Sequence, residues 1–205
     1  MGLRELKKQR TREAIASTAF HLFADRGFDR VTVADVAEAA GVSEKTVFNY
    51  FPTKEDLFFD EVPERQAALV EAVTGRGVGE SVPHALRRLQ LAQCERMASP
   101  EFAIFARVID ESPHLQTKEL EVMADFERVL AETLEEAAGL KRLDARIAAT
   151  LLIGVQWQFF LLARERALAG EHGPAAARRL RAELRRAYEV LEGGLGALPQ
   201  LGPRS

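Results

Sequence analysis

At 205 residues, 47% hydrophobic and 29% charged, the chain is long enough for one or two domains with a real core and has the balance of an ordinary soluble globular protein. Its one cysteine, Cys94, excludes an intramolecular disulfide, and the charged N-terminus shows no signal-peptide pattern, so a reducing, cytoplasmic location is expected. A net charge of −3 does not by itself point to a nucleic-acid partner.

The charge is unevenly placed, however. In the first twelve residues Arg4, Lys7, Lys8, Arg10 and Arg12 stand against Glu5, five basic residues to one acidic and a local charge of +4. This arm either lies along a groove of a duplex or is a solvated tail. A first helix is predicted from about Leu6 to Arg26, with Ile15, Ala19, Leu22 and Phe23 on its buried face, Gly27 ending it and Phe28 tucked beneath the next two helices.

Thr32 to Phe51 then reads as two short helices around a tight turn. Thr32 caps the first, with Asp35 as its partner, and Val33, Val36, Ala37 and Ala40 form an apolar stripe. Gly41 supplies the left-handed residue that stops it. Ser43 caps the second helix, from Glu44 to about Phe51, which turns Val47 and Phe51 inward. This is the helix-turn-helix pattern, whose second helix enters the DNA major groove. Its outward set holds Lys45, suited to a guanine edge; Asn49, an amide able to pair bidentately with adenine; Glu44; and the ring of Phe48. Glu44 either accepts from a cytosine amine or simply complements the helix dipole. Thr32, Thr46, Tyr50 and Lys54 suit phosphates, which set register rather than sequence.

Thr53 is expected to cap a fourth helix with Leu57, Phe58 and Val62 inward, and Pro63 to kink it or end its first part. Residues 75–81 are a turn-rich break. The next helix is predicted from about Ser81 to Met97, and another opens at Ser99-Pro100 and closes near Ser112-Pro113. Leu120, Met123, Phe126, Leu130, Leu134 and Ala137 repeat at helical spacing up to Gly139. The next helix begins near Asp144, and its segment from Ile147 to Ala163 is almost continuously apolar. It is short for a membrane span and carries Gln156 and Gln158 in its middle, so burial on all sides by a partner subunit is expected, with no membrane contact. The last helix sets Leu180, Leu184, Ala187, Leu191, Leu195 and Leu198 against an arginine-rich, solvated or salt-bridged face of Arg178, Arg179, Arg181, Arg185 and Arg186.

The order helix, Gly-Phe, threonine cap, small-residue helix, Gly-Val-Ser, aromatic helix, Lys-Glu-Asp-Leu resembles the DNA-binding domain of the tetracycline-repressor (TetR) family of transcriptional regulators, over roughly Arg10 to Phe59. Helical periods punctuated by prolines and glycines, without convincing alternating strand runs, predict an all-α fold, and the resemblance implies its division into an N-terminal three-helix DNA-binding domain, placed at residues 1–53, and a C-terminal effector-binding and dimerisation domain at 54–205. It implies that Glu44, Lys45, Thr46 and Asn49 match base-facing positions, while Thr32, Tyr50 and Lys54 match phosphate-contacting positions; Ser43 and Phe48 are counted with the DNA-binding residues. Phe48 departs from the tyrosine frequent in the family; lacking a hydroxyl, it touches a thymine methyl or fills space. The resemblance further implies a homodimer through the last two helices and an unidentified small-molecule effector.

Catalysis is not expected. Glu111 and His114 have a Glu-x-x-His spacing, but Pro113 interrupts it and no second copy exists, so no metal is assigned. Cys94 sits among apolar neighbours and reads as packed, and no phosphate-binding loop or cofactor motif is evident. An effector site is assigned to Phe102, Phe105, Met123, Phe126, Trp157 and Phe160, with Gln93, Gln156 and Asp110 as polar contacts; the other reading is an ordinary packed core. The expected function is a ligand-responsive repressor on a palindromic operator. The rivals are a helical small-molecule carrier and a non-specific architectural DNA binder.

Overall fold

The computed structural model describes residues 2–194, with the side chains of Leu3 and Arg4 excepted. Among the described residues it holds eleven α-helices, one 3-10 turn and no strand. They are α1 (Leu3–Arg26), the turn Phe28–Arg30, α2 (Val33–Ala39), α3 (Glu44–Tyr50), α4 (Lys54–Phe58), α5 (Val62–Thr74), α6 (Val82–Leu91), α7 (Cys94–Met97), α8 (Pro100–Asp110), α9 (Pro113–Ala138), α10 (Arg142–Leu168) and α11 (Gly173–Gly193). The fold is all-α, as predicted.

The chain divides into two compact units. The first comprises Met1–Pro63 together with Arg107–Glu119, so it extends ten residues past the predicted boundary and takes in a distant segment. Its core is a phenylalanine cluster. Phe23 lies 4.9 Å from Phe28 and 6.2 Å from Phe58 between ring centroids. Ile15, Ala19, Val31, Val36, Val47 and Leu57 complete the core. Leu22 is only half-buried, because Ala16 rather than Leu22 flanks the stripe of Ile15, Ala19 and Phe23. Arg12, a member of the basic arm, is built into the unit: its guanidinium lies 5.1 Å from the centre of the Phe51 ring and donates to the Asp60 carbonyl.

The segment 107–119 joins this unit through polar contacts to the end of α1 and the turn after it. Arg107 donates to the Ala24 carbonyl at 2.9 Å. Ser112 Oγ donates to Asp29 Oδ1 at 2.9 Å, and His114 Nδ1 stands 3.2 Å from the same oxygen. Glu111 faces Arg107 at 3.7 Å, so the Glu-x-x-His spacing leads to two separate partners instead of one metal.

The second unit comprises Glu64–Ala106 and Leu120–Ser205. Here α11 packs on α6, α7 and α10, burying Ala176, Ala177, Leu180, Leu184 and Tyr188. The predicted Leu195 and Leu198 lie outside the described residues. Pro63 stands in the first turn of α5, where it is tolerated, and the helix before it has already ended at Phe58. The predicted helix 81–97 is broken at Ala92 and Gln93 into α6 and α7. Gly139, at φ 65°, stops α9 as predicted.

Two buried faces differ from the sequence expectation. Leu120 is 61% exposed, because it precedes Val122 by two residues, about 200° round the helix from the stripe Val122, Phe126, Leu130 and Leu134. In α10 only one stripe is buried, through Ala145, Ala149, Leu152, Ile153, Phe159, Ala163 and Ala167. Leu143, Ile147 and Leu151, spaced four apart, are 69%, 51% and 54% exposed, so within one chain α10 is not covered all round. The arginine face of α11 is largely paired: Arg179 with Glu171 at 2.8 Å, Arg181 with Glu95 at 2.9 Å, and Arg186 with Glu189 at 3.5 Å.

Candidate nucleic-acid interface

Two local devices hold α2 and α3 in place. At the start of α2, the backbone N–H and hydroxyl of Thr32 donate to Asp35 Oδ2 at 2.7 and 2.6 Å, while the Asp35 N–H donates back to Thr32 Oγ1 at 3.1 Å. This capping box satisfies both ends of the first turn. The hydroxyl of Thr32 is thus committed to Asp35, which alters the phosphate-donor role assigned to it from sequence. At the start of α3, Ser43 Oγ accepts from the Thr46 N–H at 3.1 Å and pairs with Thr46 Oγ1 at 2.8 Å. Between the helices Gly41 takes φ 66°, a left-handed conformation that costs a side-chain-bearing residue about 1 kcal/mol or more.

The hydrogen bonds from Thr32 hold the Asp35 carboxyl below the usual carboxylate range, the side-chain bond contributing most. A carboxyl depressed in the folded state contributes stability above its unfolded value and loses it as pH falls through the folded one. Asp35→Asn is therefore expected to lower the melting temperature of the protein at pH 7 and to leave it unchanged near pH 2. Thermal melts monitored by circular dichroism at both pH values check this; an equal loss at both would remove the carboxylate from the account.

On α3 the single buried residue Val47 determines what the rest present. Glu44, Lys45, Phe48 and Asn49 are all exposed, Phe48 at 48%. At 100° per residue they cover an arc of about 140°, opposite the buried side. The arc carries one cation, one amide, one acid and one ring. Thr46 and Tyr50 are half-buried on its flank.

Lys54 sits differently from the sequence expectation. Its ammonium donates to the carbonyls of Phe28 at 3.1 Å and Val31 at 3.0 Å, and lies 4.1 Å from the centre of the Phe28 ring. It therefore ties the start of α4 to the 3-10 turn, with one N–H left over. Lys7, Lys8 and Arg10 are exposed on α1, so this basic stretch forms the first turns of that helix. Sequence reasoning missed Asp29, Ser112 and Arg107, because nothing local marks residues that meet across more than eighty positions.

Of the residues assigned to an effector site, four come together in the second unit. Phe102 and Phe105 stack at 6.0 Å, Phe160 meets them edge-on at 5.8 and 6.5 Å, and Trp157 stacks on Phe160 at 5.8 Å. Phe126 is buried, with the Arg65 guanidinium 6.0 Å from its ring centre, and Met123 stands one turn before it. Gln93 is half-buried at the start of α7, and Gln156 is half-buried on α10. Asp110, by contrast, is exposed and belongs to the first unit, where its carbonyl accepts from Gln116; it is not a polar contact of the aromatic group. Cys94 is fully buried with its thiol directed at the Gln90 carbonyl, and burial pushes its pKa up.

Residues 15–60 match the family described as bacterial regulatory proteins, tetR family. The HTH-type transcriptional regulator TcmR of Streptomyces glaucescens is 26% identical over 147 residues, 68% of this chain and 65% of that protein. The HTH-type transcriptional regulator LuxR of Vibrio harveyi is 49% identical over 57 residues, 28% of this chain and 27% of that protein. The chain thus matches just under two thirds of the length of TcmR. Among solved structures, Thermus thermophilus FadR, a TetR-family transcriptional repressor in complex with lauroyl-CoA, superimposes with a TM-score of 0.54 at 26% identity, covering 90% of this chain and 94% of that one.

Proposed function

The chain belongs to the tetR family of bacterial regulatory proteins and is a DNA-binding transcriptional regulator, and from that premise we propose that it is a homodimeric repressor that leaves a palindromic operator when a small molecule binds its second unit. The observation that carries this reading is the exposed arc of Glu44, Lys45, Phe48 and Asn49 on a helix capped at its start and anchored by one buried valine. The chemistry of that arc suits base edges, and its rigidity suits readout. The exposed row Leu143, Ile147 and Leu151 supports a symmetric partner along α10, in the cytoplasm where its DNA lies. In such a dimer the two copies of α3 stand about 34–36 Å apart, one turn of DNA. Ligand control is supported by the group of half-exposed aromatic rings and by the bound acyl-CoA of Thermus thermophilus FadR. An effector acts by preferring a conformation in which the two heads no longer match the operator.

Selecting genomic DNA fragments with the purified protein, then repeating the binding with candidate ligands, tests the proposal. Recovery of one palindromic sequence supports it; salt-steep binding with no preferred sequence supports an architectural protein, and no binding supports a carrier. On the selected operator, Lys45→Ala is expected to lose about 1–3 kcal/mol and to relax preference at one base position. Lys54→Ala is expected to weaken every sequence alike, since it loosens the anchoring of α4. If both substitutions gave the same uniform loss in a mutated-operator series, Lys45 would be an anchor and not a reader.

A further inference from the structure

Five buried polar atoms of the second unit stand without a partner: Arg166 Nη1 and Glu183 Oε2, whose side chains pair with each other, and three on neutral side chains, Gln90 Oε1 on α6, Gln156 Nε2 on α10 and the hydroxyl of Tyr188 on α11. Tyr188 is fully buried and Gln90 is 9% exposed. Gln156 comes near enough to ease ionisation of the Tyr188 phenol, against burial that pushes it up, yet the two groups do not reach hydrogen-bond geometry. Each such atom costs the fold roughly 1–3 kcal/mol, and folded proteins leave few of them. Leucine at 90 and 156 and phenylalanine at 188 would fill the same space without that penalty. Three penalties on three helices that pack around α11 and α10 indicate a purpose outside folding.

The aromatic group adjoins Gln156. Gln156 and Phe160 are one turn apart on the same face of α10, and Phe160 meets Phe102 and Phe105. None of these rings is fully buried, unlike Phe23, Phe28 and Phe58 in the first unit at 0–3% exposure. Large rings held together while still half-exposed present faces on which a flat guest can stack.

The charges that act on Tyr188 are opposed: Arg87 favours its ionised form and Glu192 disfavours it. An anion buried here would need a cation of its own, preferably a guanidinium fork. We infer that Gln90, Gln156 and Tyr188, beside Phe102, Phe105 and Phe160, form a binding site for an uncharged, flat, ring-bearing molecule that carries both a hydrogen-bond donor and an acceptor. The ligand class thus differs from the acyl-CoA held by Thermus thermophilus FadR. This rests on the ligand-controlled reading above and gives it a chemical class.

Trp157, the single tryptophan, stacks on Phe160 and reports the site. The full chain is titrated with 2-hydroxyfluorenone, with fluorenone lacking the hydroxyl, and with lauroyl-CoA, monitoring Trp157 fluorescence and checking by calorimetry. Saturable quenching by 2-hydroxyfluorenone at least about tenfold tighter than by fluorenone is expected, the worth of one buried hydrogen bond. Gln90→Leu, which removes the acceptor for the ligand hydroxyl, should cost about tenfold of the hydroxyfluorenone affinity and leave fluorenone unchanged, whereas Tyr188→Phe and Gln156→Leu, which remove donors to the carbonyl that both ketones carry, should each weaken both about tenfold. The melting temperature of Tyr188→Phe should equal or exceed that of the parent, because the hydroxyl removed had no partner. The inference is overturned if neither fluorenone binds, if both bind equally, if lauroyl-CoA binds tighter and is indifferent to all three substitutions, or if Tyr188→Phe melts lower. Operator release measured in the same samples separates the two readings. Quenching without release keeps the site and removes ligand control; release by lauroyl-CoA that ignores all three substitutions does the reverse.

Discussion

Ile147→Glu combined with Leu151→Glu is expected to turn the protein from a dimer into a monomer and to lower operator affinity at least about 100-fold. Both side chains are more than half exposed on one chain, four residues apart on α10, and Leu143 continues the same row at 69% exposure. The opposite side of α10 is anchored by Ala149, Leu152 and Ile153, so the helix itself should survive. On the outside, two glutamates cost a free monomer little, because they remain in water. In a symmetric interface each is introduced twice, placing four carboxylates in an apolar contact. Burial of an unpaired carboxylate costs several kcal/mol, more than a standard dimer contact can absorb. Loss of the dimer also separates the two heads, and the second head then binds without the effective concentration that linkage provides. Sedimentation and operator binding at matched concentration check both parts. A double variant that stays dimeric and binds normally would move the interface elsewhere.

Phe23→Ala is expected to cost about 3–5 kcal/mol and to abolish DNA binding at 37 °C, although residue 23 is not among the proposed DNA contacts. Phe23 is fully buried, and its ring touches both Phe28 and Phe58, so it links α1, the 3-10 turn and α4. Truncation leaves a cavity at the meeting point of three elements. Whole domains are stable by only about 5–15 kcal/mol, and a small head uses a large share of that. The second unit has its own core in α6, α7, α10 and α11, so a chemical melt should separate into two steps, the lower one from the head. A single unshifted transition would mean that the cluster is not the keystone of this unit. Phe28→Leu, at the same cluster but conserving most of the volume, should lose much less.

These effects rest on residues of very different legibility. Thr32 with Asp35, Ser43 with Thr46, and Thr53 with Asp56 are three caps whose partners stand three residues apart, and all three form as their spacing predicts. Helix ends marked by Gly41 and Gly139 are equally plain. Leu120 escapes a reading from spacing alone, because the run from Leu120 to Ala137 fits the helical period by more than one stripe, and only packing selects the stripe through Val122. The continuous apolar run of α10 suggests burial all round; in the chain its small residues face inward, while Leu143, Ile147 and Leu151 face outward.

What the amino-acid order alone determined is everything carried by contacts within about one helical turn: the helices, their caps, the sharp glycine stop, and the outward set Glu44, Lys45, Phe48 and Asn49, which is settled once Val47 is turned inward. What only the tertiary structure decided is where long-range partners meet. Lys54 reaches carbonyls 26 and 23 residues away, Ser112 reaches Asp29 across 83, and Gln156 on α10 comes beside Tyr188 on α11. The reason is physical. Neighbours on one helix are brought together by the backbone period itself, whereas groups far apart in the chain meet only after burial of the apolar faces has selected one packing among many.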